Sequence, residues 1–350
     1  MMRAAILGTG QLGAMLQQAG QRIGVAIDLL DVETGELPTD DIPISSEREH
    51  WPINSFTTAL QHHPGWLNSN AYKALTDRRC QKALLDQLEL PTAAWCVPTT
   101  ETTMALHDRL GPDVFLKRAT GGYDGRGQVR LRRTQPVEFP QWVGESIAES
   151  AITFDAEVSL IAARSAEGRI VCYRLTENFH RDGILVISLS QEGRFANLQQ
   201  RAEMMMARIM ERLDYVGVIA IEFFVVNNDL LINEIAPRVH NSGHWTQAGT
   251  SISQFELHVR AICGLPLPQP EQGQYNMMVN LIGMSYDIRW LSHGGAQLHW
   301  YCKTLLPGRK MGHLNFHHSN PDKLAAWLQE VDLPPYYEEA VAWALTRLSR

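Results

Sequence analysis

Two glutamates, Glu222 and Glu234, have the spacing that most directly predicts chemistry in this sequence. They lie in apolar, β-branched runs on either side of the Asn-Asn-Asp segment at 227–229, a pattern that predicts a β-hairpin with buried strands. If these three residues form the loop, Val226 faces Leu230 and Glu222 faces Glu234 on one side of the ladder. Two carboxylates at such a pair repel each other, and burying them without a partner costs more free energy still.

A divalent cation between the two carboxylates would relieve this repulsion. Mg²⁺ is typically held by one or two carboxylates together with the phosphates of a substrate, so the pair predicts a magnesium-nucleotide site. The alternative is that one glutamate forms an ion pair with an arginine, and Arg238, just after the hairpin, is the candidate.

A lysine and a glycine-rich loop farther upstream suit the same ligand. Lys117 lies near the end of the predicted strand 114–118, and four glycines follow within 121–127 before a second predicted strand, 129–131. Such a loop can bring backbone amides onto phosphate oxygens, with the lysine as a positive charge beside them. A turn without a ligand would not need the Tyr, Asp and Arg that this loop also contains, so we predict a phosphate-binding loop.

The N-terminus contains a further glycine motif, Gly8-x-Gly10-x-x-Gly13, between a short apolar run and a predicted helix. This arrangement is typical of a Rossmann-like unit, in which amides at the helix N-terminus face an anion. It opens the alternative of an NAD-dependent oxidoreductase, with Asp28 and Asp31 near the second strand for a ribose, although no hydride-transfer site is recognisable. A tight turn that packs the helix on a sheet is the other interpretation of these glycines.

Alternating strands and helices must position these side chains. Helices are predicted at 77–88, 198–213 and 252–265, and they alternate with strands such as 25–30 and 146–152. This order favours an α/β chain, and the length of 350 residues favours two domains or slightly more.

Composition excludes several other classes of protein. A formal net charge of −7 argues against nucleic-acid binding, which rests on a basic surface. Five scattered cysteines without a Cys-x-x-Cys pair fit a reducing compartment, and no apolar window is long enough for a transmembrane span. We therefore expect a cytoplasmic protein with no nucleic-acid or membrane partner.

The strings GTGQLGAM, KRATGGYDGRGQ and NEIAPRVHNSGHWTQ resemble the ATP-grasp superfamily, most closely its carboxylases of purine biosynthesis. The resemblance implies an α/β fold, α+β overall, and a homodimer. It also implies four parts: a Rossmann-like N-terminal domain at 1–95, a small lid domain with the glycine-rich loop at 96–155, a central mixed-sheet domain with the metal hairpin at 156–270, and a small β-rich C-terminal portion at 271–350.

The activity implied by the resemblance is that of an ATP-dependent ligase. It would carboxylate 5-aminoimidazole ribonucleotide with ATP and bicarbonate, by way of carboxyphosphate, and release ADP and phosphate. Bicarbonate is a poor electrophile, so it must be activated, and phosphoryl transfer then demands positioning and charge neutralisation rather than a protein nucleophile. Other readings are an ATP-grasp ligase with a different carboxylate, such as a formate-dependent purine transformylase, and a non-catalytic nucleotide-binding subunit.

Roles for individual residues follow from the same resemblance. Glu222 and Glu234 would carry Mg²⁺, while Arg238, Asp124 and His240 would be catalytic, with Arg238 on bicarbonate and carboxyphosphate and Asp124 on the amine proton. The residues implied to bind ATP are Arg78, Lys117, Gly122, Tyr123, Asp124, Gly125, Arg126, Gly127, Gln128, Glu149, Ala151, Ile152, Glu157, His180, Asn233 and Glu234. Those implied to bind the ribonucleotide are Tyr123, Arg126, Arg238, His240, Asn241, Ser242, Lys303, Arg309 and Lys310.

One position departs from the superfamily pattern. Many members have an asparagine two residues beyond the second glutamate as a further metal ligand, but this chain has Ala236 there. Simple strand alternation places Asn233 on the opposite face from Glu234, where it would be a poor substitute. We therefore expect nucleotide phosphates and water to complete the metal coordination.

Overall fold

In a computed structural model of the chain, residues 2–98, 103–122, 126–134, 142–292 and 294–349 are described. Tyr123, Asp124 and Gly125 of the predicted phosphate-binding loop lie outside the described residues. Within the described ranges, no helix is long and apolar enough to cross a membrane.

The N-terminal unit is a β-α-β arrangement, as predicted, with a parallel sheet of order β2-β1-β3. Its first strand is buried because Ala4 to Leu7 is apolar throughout, and the following helix covers it with Leu16 and Ala19. The elements are β1 (Met2–Leu7), α1 (Gln11–Arg22), β2 (Val25–Leu30), β3 (Ile44–Ser46), α2 (Ser55–Leu60), α3 (Ser69–Leu75) and α4 (Arg78–Gln87).

A small antiparallel sheet of order β4-β7-β5-β6 carries the lysine and the end of the glycine-rich loop. One helix covers it, with Leu106 and Leu110 packed on Val114 and Leu116. The elements are β4 (Trp95–Cys96), α5 (Thr103–Leu110), β5 (Asp113–Arg118), β6 (Gln128–Arg132) and β7 (Ser146–Ser150).

The hairpin of β12 and β13, which contains Glu222 and Glu234 and is called the metal hairpin after its predicted role, lies at one edge of a nine-stranded sheet. The strand order is β13-β12-β8-β10-β11-β14-β16-β15, with β9 paired to β8. The C-terminal strands continue this sheet rather than form one of their own. Its elements are β8 (Ala156–Arg164), β9 (Ile170–Cys172), β10 (Thr176–Arg181), β11 (Ile184–Gln191), α6 (Ala196–Arg212), β12 (Gly217–Val226), β13 (Asp229–Ala236), α7 (Thr246–Gly249), α8 (Gln254–Ile262), β14 (Tyr275–Ile282), β15 (Ala296–Trp300), β16 (Lys310–His318), α9 (Pro321–Glu330) and α10 (Glu338–Leu348).

Helices cover both faces of this large sheet, so the hairpin strands are buried as their apolar sequence predicts. Methionines of α6, including Met206 and Met210, pack on one face. On the other face, Phe255 of α8 belongs to the same cluster as Leu16 of α1, which ties the N-terminal unit to the large sheet. The four-part division of the chain stays a prediction.

The register of the hairpin differs from the predicted one at its tip. Val226 pairs with Asp229, so the turn is the two residues Asn227-Asn228, both with positive φ, rather than a three-residue loop. A bulge then adds one residue to β13, and the predicted pairing of Glu222 with Glu234 is confirmed. The shorter turn and the bulge each shift the register by one residue in opposite directions, so Glu222 still pairs with Glu234.

Candidate active site

A cleft of about 790 Å³ lies where the three sheets meet, and it contains most of the predicted site residues. Its walls come from the N-terminal glycine turn, the small sheet, the metal hairpin and the loop that follows the hairpin. The predicted residues in these walls are Arg78, Lys117, Gly122, Arg126, Gln128, Glu149, Ile152, Glu157, His180, Glu222, Asn233, Glu234, Arg238, His240, Asn241 and Lys310.

Glu222 of the pair lies where its charged form is disfavoured. Burial raises the pKa of Glu222 to about 7; the neighbouring carboxylates Glu234 and Glu157 add to the rise, and His180 and Lys310 oppose it. The imidazole Nε2 of His240 lies 3.8 Å from Oε1 of Glu222. Among the described residues, no group of three or more His, Cys, Asp or Glu side chains is arranged to hold a metal ion. The pair would therefore need oxygen ligands from a substrate to complete a cation site.

Asn233 faces the cleft, so its predicted placement on the opposite strand face is wrong. The bulge in β13 sets both Asn233 and Glu234 beside Glu222, and both side chains line the cleft. Lys117 Nζ lies 3.5 Å from the side-chain oxygen of Asn233. Strand alternation holds only in a regular ladder, and the extra residue of a bulge breaks it.

Arg78, rather than Arg238, is the arginine beside the paired glutamates Glu222 and Glu234. Its guanidinium donates to the carbonyls of Arg118 and Gly122 and lies 3.4 Å from Oε1 of Glu234. Arg78 is the first residue of α4, whose N-cap Asp77 accepts a hydrogen bond from the amide of Arg79. The backbone amide of Arg78 also donates to the carbonyl of Ala119 at 2.8 Å, which holds this end of α4 beside the small sheet.

The guanidinium of Arg238 lies 2.7 Å from the carboxylate of Glu49 and forms an ion pair with it, instead of with Glu222 or Glu234. Glu49 follows β3 in the N-terminal unit, and both side chains line the cleft. The alternative pairing of Arg238 with the hairpin carboxylates is thus not realised. Glu49 was not predicted, because nothing in its local sequence marks a partner so far along the chain.

Glu149 is buried between two lysines. Lys117 Nζ lies 2.7 Å from one carboxylate oxygen and Lys82 Nζ lies 2.5 Å from the other. Burial opposes the ionisation of Glu149, but the two ammonium groups outweigh it and lower the pKa to about 2. Lys82 was not predicted, since a lysine inside a polar helix looks the same in sequence as a solvated one.

Apolar side chains line another part of the cleft, beside Ile152. The rings of Phe154 and Phe224 stack with centroids 4.8 Å apart, and Phe115 and Leu185 lie in the same walls. These rings provide a flat apolar surface suited to a nucleobase.

Two more of the residues predicted to bind ATP, Glu157 and His180, also lie in the walls of the cleft. Glu157 and His180 are joined by a hydrogen bond. Burial lowers the pKa of His180, but Glu157 and Glu222 outweigh it and the net shift is upward. Ala151 lies outside the described cleft walls, with its amide bonded to the carbonyl of Asp113.

Gln254 fixes the loop after the hairpin through hydrogen bonds to its backbone. The side chain of Gln254 accepts from the amide of His240 and donates to its carbonyl, at 2.9 and 2.7 Å. Ser242 is buried and bonds Nδ1 of His240 instead of lining the cleft. Both side-chain polar atoms of Asn241 are buried without a hydrogen-bond partner in the described structure, so this amide is available to a ligand.

The three cationic residues between 303 and 310 that are predicted to bind the ribonucleotide have three different environments. Lys310 lines the cleft, Lys303 bonds Gln11 of the N-terminal glycine turn, and Arg309 donates to the carbonyl of Thr304 in its own turn. Gly127 has a positive φ of 72° and its carbonyl accepts from the amide of Arg118, which closes the described end of the phosphate-binding loop.

The N-terminal glycine motif holds an anion that belongs to the protein itself. The amides of Gly10 and Gly13 both donate to the carboxylate of Glu47, the second at 2.6 Å. A Cβ at Gly10 would lie 2.8 Å from this carboxylate, which accounts for the glycine. In this structure Glu47 fills the position that a dinucleotide phosphate would take, so the oxidoreductase interpretation loses its motif.

A glycine-rich loop, a lysine and two paired glutamates around one cleft define an ATP-grasp protein, and the family model of the ATP-grasp domain matches residues 83–255. A second family model, the phosphoribosylaminoimidazole carboxylase C-terminal domain, matches residues 276–326. The chain belongs to the N5-carboxyaminoimidazole ribonucleotide synthase family, which confirms the predicted superfamily and fold class.

Three relatives illustrate this membership. The chain is 47% identical to N5-carboxyaminoimidazole ribonucleotide synthase of Escherichia coli (strain K12), with 99% of each chain covered. The synthetase structure from Thermus thermophilus has a TM-score of 0.82 and 36% identity, covering 95% of this chain and 99% of that one. The synthetase from Staphylococcus aureus complexed with ADP has a TM-score of 0.80 and 26% identity, covering 94% and 96%.

Proposed function

We propose that this chain carboxylates 5-aminoimidazole ribonucleotide in an ATP- and bicarbonate-dependent reaction that yields N5-carboxyaminoimidazole ribonucleotide, ADP and phosphate in purine biosynthesis. The observation that carries the proposal is the cleft in which Glu222 and Glu234 lie opposite each other, near Lys117 and Arg78. The chain is accordingly an ATP-dependent ligase.

At the nucleotide end, Lys117 and Arg78 supply positive charge for the phosphates. The stacked rings of Phe154 and Phe224 and the side chain of Ile152 suit adenine, and Glu157 suits the ribose. Gly122, Arg126, Gly127 and Gln128 belong to the loop proposed to cover the phosphates. Tyr123, Asp124 and Gly125 stay predicted members of that loop.

Glu222 and Glu234 are the residues proposed to hold Mg²⁺. They fit the ion because Glu222, with its pKa raised by burial, is a carboxylate that a cation would stabilise in its charged form. The bulge adds the amide oxygen of Asn233 to the same wall, although the chain lacks the further asparagine at Ala236. When bound, Mg²⁺ supplies charge neutralisation at the phosphates during phosphoryl transfer.

In the loop after the hairpin, Arg238 is proposed to bind bicarbonate and its activated form. A bicarbonate oxygen attacks the γ-phosphorus of ATP and ADP leaves, which gives carboxyphosphate. The amine of the ribonucleotide then attacks the carboxyl carbon or the CO₂ released from it, phosphate leaves, and the amine nitrogen loses a proton. His240 and Asn241 would orient the aminoimidazole, with Ser242 fixing His240.

Other parts of the prediction belong to the same proposal. Lys310 lines the cleft and suits the ribonucleotide phosphate, with Lys303 and Arg309 on the same turn. Asp124 as the acceptor of the amine proton, the homodimer and the cytoplasmic location stay predictions. All five cysteines are free, which is compatible with a reducing compartment.

The experiment is an assay of ADP release with 5-aminoimidazole ribonucleotide, with and without bicarbonate and with formate in its place. We expect turnover that requires bicarbonate. Stimulation by formate alone would point to a transformylase, and no turnover with any carboxylate would point to a nucleotide-binding subunit. A rise in Tm with NADH and none with ATP would support an oxidoreductase instead.

A further inference from the structure

The buried contact between Lys82 and Glu149 joins two parts of the molecule. Lys82 Nζ lies 2.5 Å from the carboxylate and donates to the hydroxyl of Thr92 at 2.6 Å. The two charged side chains are only 3% and 4% exposed. A buried ion pair of this kind is strongly destabilised when one partner is removed, because the other charge is left in a poorly solvated site.

The two lysines that share Glu149 differ in their access to ligands. Lys117 is 20% exposed, lines the cleft and lies near Asn233. Lys82 lies outside the described walls of the cleft. A ligand in the cleft can therefore compete with Glu149 for Lys117 but has no direct access to Lys82.

Lys117 and Glu149 belong to neighbouring strands of the small sheet. Phe115 lies opposite Glu149 in the ladder, so Lys117, two residues on, has its side chain on the same face and diagonally adjacent. Their contact is therefore local to that sheet.

Lys82 comes from α4, which is fixed to the metal hairpin. Gln81 exchanges two 3.0 Å hydrogen bonds with the backbone of Ile235, and Thr92, which accepts from Lys82, donates to the carbonyl of Ile232. The Lys82 ammonium is thus anchored independently of the small sheet. Burial lowers its pKa and Glu149 opposes that shift.

We propose that Lys82 is a positioning residue that keeps Glu149 neutralised and so leaves Lys117 free to contact the phosphates of a nucleotide. The inference rests on the proposed function, in which Lys117 binds those phosphates. With Lys82 present, Lys117 can leave Glu149 without stranding a buried carboxylate. Without Lys82, Lys117 is the one described cation left within ion-pair distance of Glu149, and it is held there.

The expected effect is a loss of nucleotide affinity that disappears when Glu149 is made neutral. We expect Lys82→Met to raise the Kd for ADP about tenfold, equivalent to about 1.4 kcal/mol. Lys82→Met combined with Glu149→Gln should bind ADP within about threefold of Glu149→Gln alone, since no buried charge then retains Lys117. Lys82→Arg should retain most of the affinity.

Calorimetric titration with ADP, well below the Tm of every variant, tests this cycle, with Lys323→Met on the exposed face of α9 as the control. If Lys82→Met is too unstable to measure, Lys82→Gln replaces it. An unchanged Kd for ADP in Lys82→Met overturns the inference. So does a double variant, Lys82→Met with Glu149→Gln, that binds ADP no better than Lys82→Met alone. If Lys82→Met affects stability alone, its Tm will fall but its Kd for ADP will equal that of wild type.

Lys117→Met separates this inference from the proposed function. If Lys117→Met weakens ADP binding and Lys82→Met does not, Lys82 has no positioning role and the proposed function stands. If wild type does not bind ADP, or Lys117→Met binds it like wild type, the proposed role of Lys117 fails and the inference fails with it.

Discussion

The guanidinium of Arg238 lies 2.7 Å from the carboxylate of Glu49 and so joins the loop after the metal hairpin to the N-terminal unit. A small anion bound by Arg238 would compete with the carboxylate of Glu49 for the guanidinium. The same carboxylate also holds the guanidinium in place. Glu49 restrains the planar guanidinium, which favours a two-pronged contact with bicarbonate.

Replacing Arg238 by lysine should therefore not preserve activity. We expect Arg238→Lys to lower kcat for bicarbonate-dependent ADP release by about 100-fold or more, because a point charge cannot reproduce the forked contact. Affinity for ADP should change much less, since the described ion pair of Arg238 is with Glu49 and not with the paired glutamates. Wild-type kcat in Arg238→Lys would contradict the proposed role.

The paired glutamates give a prediction for magnesium. Glu234→Gln and Glu222→Gln should each reduce turnover by about 100-fold and raise the Mg²⁺ concentration needed for half-maximal rate, because each removes a charged ligand. Asp229→Asn is a matched control on the same hairpin, where Asp229 pairs with Arg201 at the exposed tip. An equal loss in the control would indicate damage to the hairpin rather than to a metal site.

Glu222 should make the metal-free protein less stable as pH rises. Its folded pKa of about 7 exceeds the ordinary 4.5, so the folded state holds the proton through this range while the unfolded state loses it. This contribution to stability is complete below about pH 4.5 and is lost as pH rises through about 7. In EDTA, Glu222→Gln should therefore melt above wild type at about pH 8, with a smaller difference near pH 5. A difference independent of pH would contradict the raised pKa.

Glu47 should stabilise the N-terminal unit through its hydrogen bonds with the glycine turn. Its buried carboxylate accepts from two amides, and a glutamine can accept from one while turning a donor toward the other. We expect Glu47→Gln to lower the free energy of unfolding by about 1–3 kcal/mol, measured by urea denaturation. Glu33→Gln, on an exposed turn, is the control and should have little effect. A neutral Glu47→Gln would mean that the glycine turn does not depend on this anion.

The sequence predicted the elements and the pairing of Glu222 with Glu234 better than the contacts between distant segments. Strand periodicity was enough to oppose Glu222 and Glu234, although the turn and the bulge each shifted the register by one residue. The partners Lys82, Glu47 and Glu49 could not be predicted, because each acts through a residue far along the chain. Periodicity reports which face a residue occupies, and the identity of a distant neighbour depends on how whole sheets pack.

The bulge at Asn233 separates the length of the hairpin tip from the position of the glutamates. Deletion of one residue between Asn228 and Asn233 could be absorbed by straightening β13, with the two-residue turn kept and Glu222 still opposite Glu234. Straightening would, however, rotate Asn233 out of the cleft. Related chains whose hairpin is one residue shorter are therefore expected to keep the carboxylates but lose this amide, so the length of the hairpin indicates whether the amide is present beside the nucleotide phosphates.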